Sequence, residues 1–363
     1  MTLPQVKIHF YGRYCIADIK CIYDVLKESY TTTYDFCDDI DRMPYVSKPS
    51  SVDFILTENL RPTYCSGKRI TVGHGLSPAL GVGSTKDKKL LETLTREFDV
   101  MCVYGQLQKD ILIRIGYPDE KIIVFGMPYS IDLLKQTSDA QKKNFLISKG
   151  LDHNRKTLLY APTWNQSVVG GRLRRLFTKP KPTRQFFELW WEDGKERQRV
   201  EELCNFCYVN GLNFMIRMHE KARYDRDWLA LYSDIFDKYN VAGHYMNEDM
   251  DSFPYLKHSD VLLGDVSGMN TYFYVMNKPV VHLNKEIPFE DKVKYRIGAM
   301  DINDRAGYIV GQFDEMLDCI KDSFENPEKF AAKRRATVRK YIDYIGDECV
   351  SAINKEFLRI FTL

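Results

Sequence analysis

Short apolar runs recur along the chain, each closed by glycine, proline or a polar pair and followed by a stretch of helical spacing. The first set is VKIHFYG (6–12), VDFILTE (52–58), RITVGHG (69–75), FDVMCVYG (98–105) and KIIVFGMP (121–128). The second is KTLLYAPTW (156–164), NFMIRMHEK (213–221), VAGHYMN (241–247), DVLLGDVSG (260–268) and PVVHLN (279–284). Runs this short, unbroken by alternation and rich in Val, Ile and aromatic residues, predict strands of a parallel sheet covered on both faces. Between them, residues such as Leu90, Leu91, Leu94 and Phe98 mark one face of a helix over 85–98.

Strands alternating with helices give a doubly wound α/β sheet, and two such sets give two Rossmann-like domains. The polar stretch QTSDAQKKNFLISKGLDHNR (136–155) reads as the seam. The expected boundaries are 1–145, 146–327 and a helical segment, 328–363, that crosses back to pack on the first domain. A length of 363 residues suits two domains of roughly 150–200 residues better than one.

Composition narrows the classes. Hydrophobic residues at 44% and charged residues at 28% are those of a globular protein. A net charge of +2 gives no global attraction to nucleic acid, so electrostatic recognition must be local. Nine cysteines at irregular spacing, after an opening MTLPQVKIHFYG that lacks a signal peptide's basic region and apolar core, lead us to expect free thiols in the cytosol. No run approaches the roughly 18 apolar residues of a membrane span. No Walker A or GxGxxG pattern is present, which argues against an NTPase or a nicotinamide enzyme.

In open α/β sheets ligands sit beyond the carboxyl ends of the strands. The residues to read for chemistry are therefore His74-Gly75, Gly105, Gly126-Met127-Pro128, Pro162-Thr163-Trp164, His219-Glu220-Lys221 and Asp265 to Met269. In DVLLGDVSGMN, Ser267, Gly268 and Met269 present N–H groups at a helix start, which suits a phosphate or simply a capped helix. His74 sits among Gly73, Gly75 and Pro78, where an imidazole can take a proton near neutral pH or bond its own loop. His219 with Arg217, Lys221 and Arg223 suits a diphosphate leaving group or a solvated basic turn.

The segment GGRLRRLFTKPKPTR (170–184) carries six basic residues and no acidic one, with Arg172, Arg174 and Arg175 leading. It is expected to grip an anionic acceptor or touch anionic lipid heads. The basic segment 329–340 reads as a solvated helix face. Cys204 and Cys207 share a helical face with Val200 and Leu203 and read as core rather than zinc ligands. Asp39 and Asp41, and Asp249 and Asp251, resemble metal-holding acidic pairs, but Asp251 reads better as a helix N-cap. No metal and no cofactor are expected.

In their order, these motifs resemble the CDP-glycerol glycerophosphotransferase family. The match spans about 70–285. His74-Gly75 is similar to the family's HGxPxK, GMPYSIDLL (126–134) to GxPRxD, LLYAPTW (158–164) to LYAPTWR, and 251–283 to its SDxLITDYSSxxFDY…KP stretch. Departures are Tyr129 and Asn165 for arginines, Gly268 for the second serine, Tyr272 for an acid and Glu220 for the usual proline.

The resemblance implies a GT-B fold, two Rossmann-like halves facing across a cleft, with acceptor on the first domain and nucleotide donor on the second. It implies transfer of glycerol phosphate from CDP-glycerol to a hydroxyl of a cell-surface polymer or its lipid-linked precursor, with release of CMP. His74 is then the base. His219, Arg217, Lys221, Asp265, Ser267, Gly268, Met269, Pro162 and Thr163 form the donor side, and Gly75 with the 170–184 arginines the acceptor side. Alternatives are a glycosyltransferase of the same fold, a UDP-sugar 2-epimerase-like enzyme, and a non-catalytic nucleotide-sugar binder.

Overall fold

A computed structural model describes residues 6–12, 17–36, 53–57, 67–72, 92, 95–114, 116–161, 195–217, 227–244, 252–265, 268–283 and 302–362. The chain divides into two compact units. The first runs to Lys135 and takes back Val338 onward. The second begins at Gln136 and ends at Thr337.

The first unit holds a six-stranded sheet of β1 (Lys7–Gly12), β2 (Thr31–Phe36), β3 (Phe54–Thr57), β4 (Lys68–Val72), β5 (Val100–Val103) and β6 (Ile122–Val124). Every pairing is parallel and the spatial order is β2-β1-β3-β4-β5-β6. Ile8, Phe10, Leu56, Ile70 and Cys102 are buried in one cluster, packed by Ile19, Ile22 and Leu26 of α1 (Ala17–Leu26). The same cluster takes Cys349, Ile353, Phe357 and Ile360 of α11 (Asp347–Thr362), so the last helix completes the first unit's core. Each such side chain contributes roughly 1.5–3 kcal/mol on full burial, enough to hold the returning segment. Also in this unit are α2 (Gln106–Arg114) and α3 (Tyr129–Leu134).

The second unit holds β7 (Thr157–Tyr160), β8 (Asn213–Ile216), β9 (Val261–Gly264), β10 (Val280–Leu283) and β11 (Tyr308–Val310), all parallel, in the order β11-β10-β9-β7-β8. Counted along the chain, both sheets run second, first, third, fourth, fifth. Leu158, Tyr160, Phe214, Ile216, Val261, Leu263, Val281 and Leu283 line one face under α5 (Glu196–Val209), α6 (Asp227–Lys238) and α9 (Phe313–Glu325). Residues one step out of phase, such as Met215, Leu262 and His282, are equally buried, as a doubly covered sheet requires. The unit also contains α4 (Asp139–Ser148), α7 (Phe253–His258) and α8 (Met269–Val275), and α10 (Ala331–Tyr341) leads out of it.

Several expectations need correcting. TTTYDF (31–36) is a strand that the apolar pattern does not reveal. It lies at the sheet edge, where Tyr34 is 59% exposed and little hydrophobicity is needed. The short edge strand β11 is missed for the same reason. Of VAGHYMN, the described part, 241–244, is not a strand: it makes one isolated bridge, Met215 to Ala242, because Gly243 turns the chain at φ +76°. The polar seam contains a helix, α4, opened by a capping box in which Ser138 and Gln141 each accept from the other's backbone N–H. Ser252, not Asp251, stands at the N-cap of α7. An N-cap at 251 would place Pro254 at the third helical position, where a cap needs the N–H that proline lacks. Most of 85–98 lies outside the described residues, though Phe98 is buried.

Candidate functional site

The second unit's sheet reverses direction of winding between β7 and β9, so its ligand crevice belongs at the carboxyl ends of those two strands. The main chain ties these ends together. Ala161 N donates to Leu263 O at 3.2 Å, and Arg217 N donates to Tyr160 O at 2.8 Å. The ends of β7, β8 and β9 therefore lie side by side, carrying Tyr160-Ala161, Ile216-Arg217 and Gly264-Asp265.

Arg217 is the cation fixed at this edge. Ile216 faces α5 and α6, so the next residue points to the opposite face, toward α7. There the Arg217 guanidinium carbon lies 5.4 Å from the centre of the Tyr255 ring, and the residue is 8% exposed. Lys149 lies over the same ring at 5.3 Å. Stacking on an aromatic face stabilises a partly desolvated guanidinium by about 1–2 kcal/mol and orients its donors in advance. Gly243 makes the arrangement possible: a Cβ there would stand 2.6 Å from Ile216 O and 2.7 Å from Tyr255 Cε1.

The turn after β9 has its own brace. Asn270, buried on α8, donates from Nδ2 to Asp265 O at 2.6 Å. Its Oδ1 occupies the space beside Gly264, where a Cβ would collide with it. Gly268 opens α8 at φ −58° and ψ −19°, with no side-chain cap on the first turn. A Cβ at 268 would meet nothing within 4 Å, so the fold itself does not require glycine there. Met269 begins the helix and is half-buried, and Asp265 is half-exposed.

Within the first unit, the strand-end motifs read from the sequence fare differently. His74 and Gly75 follow β4 by two residues and lie outside the described residues. Gly105 and Gly126-Met127-Pro128, read from the sequence as chemical strand ends, are instead covered by the returning chain. Met127 N donates to Tyr344 O at 3.0 Å, Asp343 N to Tyr104 O at 3.0 Å, and Gly346 N to Ser130 Oγ at 2.9 Å. Gly126 sits at φ +86°, and a Cβ would collide with Tyr344 O. Tyr129, where the family pattern has arginine, is buried, and its N–H donates to Asp18 Oδ1 at 2.8 Å. Asp18 also accepts from the Tyr104 hydroxyl. This motif anchors the C-terminal crossing.

Of the remaining sequence candidates, Pro162, Thr163, Arg172, Arg174, Arg175, His219, Lys221 and Ser267 lie outside the described residues, as do Asp39, Asp41, Asp249 and Asp251. Cys204 and Cys207 pack in the second unit's core, where burial pushes the Cys204 thiol up to about 12 and Cys207 well above its ordinary value. Among the described residues no cluster of His, Cys, Asp and Glu could hold a metal, and no helix is long and apolar enough to cross a membrane. Sequence reasoning found Arg217 and the turn after β9, but not Tyr255, Gly243 or Asn270. The asparagine two residues past GDVSG was the available signal.

The family described as CDP-glycerol:poly(glycerophosphate) glycerophosphotransferase matches residues 68–352. Among curated proteins, none matches the chain in sequence. Solved structures are similar across nearly the whole chain. A histidine variant of the wall teichoic acid polymerase TagF aligns with a TM-score of 0.70 at 16% identity, covering 99% of this chain and 90% of that one. A TagF variant soaked with CDPG gives 0.68 at 16% identity, over 99% and 90%. The S. aureus MnaA–UDP structure gives 0.53 at 14% identity, over 95% and 94%. At these identities the likenesses establish the fold.

Proposed function

Because the chain belongs to the CDP-glycerol:poly(glycerophosphate) glycerophosphotransferase family, we propose that it moves glycerol phosphate from CDP-glycerol to a hydroxyl of a polyol-phosphate polymer or its precursor, releasing CMP. The observation that carries this reading is Arg217, a preoriented guanidinium at the strand edge where a doubly wound sheet binds its ligand.

The reaction forms one bond and breaks one. The acceptor oxygen attacks the phosphorus that bears glycerol, and the bridging P–O bond of the diphosphate breaks. The acceptor's proton goes to His74, and the electron pair leaves with CMP. The product is a phosphodiester, so charge builds on the phosphoryl oxygens and the leaving phosphate. Arg217, His219, Ser267 and the N–H groups of Gly268 and Met269 are the donors assigned to that charge. Lys221, Pro162 and Thr163 complete the donor side in this reading. Gly75, Arg172, Arg174 and Arg175 belong to the acceptor side. Fixed cationic and N–H donors take the place of a metal ion. In this reading the protein acts in the cytoplasm, and the 170–184 segment touches anionic lipid at the membrane's inner face.

A thermal-shift series tests the donor. CDP-glycerol and CMP, at about 100 times the dissociation constant, should stabilise the fold by roughly 2.7 kcal/mol, whereas UDP and GDP should not. Stabilisation by UDP or GDP alone would move the assignment to a nucleotide-sugar glycosyltransferase.

A further inference from the structure

The helix α10, sequence AAKRRATVRKY, contains no acidic residue. Its inward face is made by Ala331, Arg334, Thr337 and Val338, all buried. Arg334 is spent internally, donating to Asn277 Oδ1 at 3.1 Å and Pro327 O at 2.7 Å. The outward face carries Ala332, Lys333, Arg335, Ala336, Arg339 and Lys340, all exposed. Lys333, Arg335 and Arg339 have no ion-pair partner among the described residues. Lys329 just ahead of the helix, by contrast, is paired with Asp322 at 3.2 Å.

At about 100° per residue, these positions sort into rows. Arg335 and Arg339 form one edge of the exposed face, and Lys333 and Lys340 the other. Ala332 and Ala336 lie between them, giving a shallow floor of methyl groups flanked by cations along a helix about 16 Å long. At its end the chain enters 341–346, which covers the carboxyl ends of β5 and β6. That is also the side of the sheet on which β4 ends, two residues before His74.

We propose that the exposed face of α10 binds the phosphodiester backbone of the acceptor polymer, downstream of the hydroxyl that reacts. This rests on the polyol-phosphate transferase reading given above. Charge complementarity identifies the occupant. A poly(glycerol phosphate) chain is linear and carries one negative charge per repeat, and α10 offers two rows of cations on either side of an exposed alanine strip. An anionic membrane fits less well. A helix that lies in a lipid interface exposes large apolar side chains among its cations, and this face exposes only alanine. The face acts as a processivity surface: it holds polymers long enough to span it and is indifferent to short acceptors.

The test uses the full chain and a triple variant, Lys333→Glu with Arg335→Glu and Arg339→Glu. A second variant, Ala332→Glu with Ala336→Glu, adds charge to the floor and removes no cation. All five positions are exposed, so both variants should keep the wild-type melting temperature. The probes are an end-labelled long glycerol-phosphate oligomer, a single-phosphate acceptor, and phosphatidylglycerol vesicles. The expected result is that both variants lose about tenfold or more in affinity for the long oligomer, with a shallower salt dependence. Transfer to the short acceptor should be unchanged. Unchanged oligomer affinity in the triple variant would overturn the inference. So would loss of vesicle binding with oligomer binding intact, which would make α10 a membrane face. Oligomer binding is read without turnover, so inactivity of the wild type toward CDP-glycerol would strike the transferase reading separately.

Discussion

Two motif glycines have opposite physical reasons. Gly126 is dictated by the fold: its φ of +86° is costly for any other residue, and Tyr344 O leaves no room for a Cβ. Gly126→Ala should therefore lose about 3 kcal/mol or more in denaturant unfolding, by combining backbone strain with overpacking. A loss under about 1 kcal/mol would mean that the crossing segment 341–346 is not held there as described. Gly268 is not dictated by the fold, since its conformation is ordinary and the space around it is open. Gly268→Ser should leave the melting temperature within about 2 °C. Adding a hydroxyl where the family pattern has one should also lower the donor KM by about twofold to tenfold, the worth of one hydrogen bond. A raised KM would show that the donor phosphate does not lie against this turn. Arg217 could be picked out in the sequence as a cation at a strand end. Its partners could not: Tyr255 and Gly243 come from separate segments, and only the folded sheet brings them to it.

At the scale of elements, the strands legible in the sequence are those buried on both faces, because a continuous apolar run has no other explanation. β2 and β11 lie at sheet edges, as the legible β6 and β8 also do, but β2 is polar and β11 only three residues long, so neither shows as a continuous apolar run. The β10–α8 contact gives a pH prediction. His282, fully buried in β10, has Nε2 2.5 Å from the Tyr274 hydroxyl, and that hydroxyl accepts from Ala306 N at 2.7 Å. Burial, with Arg305 and Lys333 adding to it, pulls the imidazole from 6.5 down to about 3. Between those values the unfolded chain binds a proton that the folded one does not. Stability should therefore rise with pH through this window and be complete above it. Unfolding should take up about one proton from this residue, and His282→Gln should remove that component of the slope. A wild-type slope unchanged in the variant would contradict the assignment.

For the whole molecule, the alternation of strand and helix is enough to predict two α/β units, and the two sheets share a strand order. Each sheet starts one strand in from its edge and winds outward in both directions. Each therefore has one switch point, and in the second sheet the chain leaving β7 and β9 flanks it. The sequence does not reveal that the GMP turn serves the returning C-terminal segment, because that contact joins residues more than 200 positions apart, as in Gly346 to Ser130. The central claim is the chemistry itself. It is tested most directly by CMP release from CDP-glycerol in the presence of a poly(glycerol phosphate) acceptor and a metal chelator, comparing wild type with His74→Ala. The expected result is acceptor-dependent CMP release that the chelator leaves intact, and a fall in kcat of about 100-fold to 10,000-fold in the variant, the range for losing a general base. Full activity in His74→Ala, or no CMP release from the wild type under any acceptor, would contradict it.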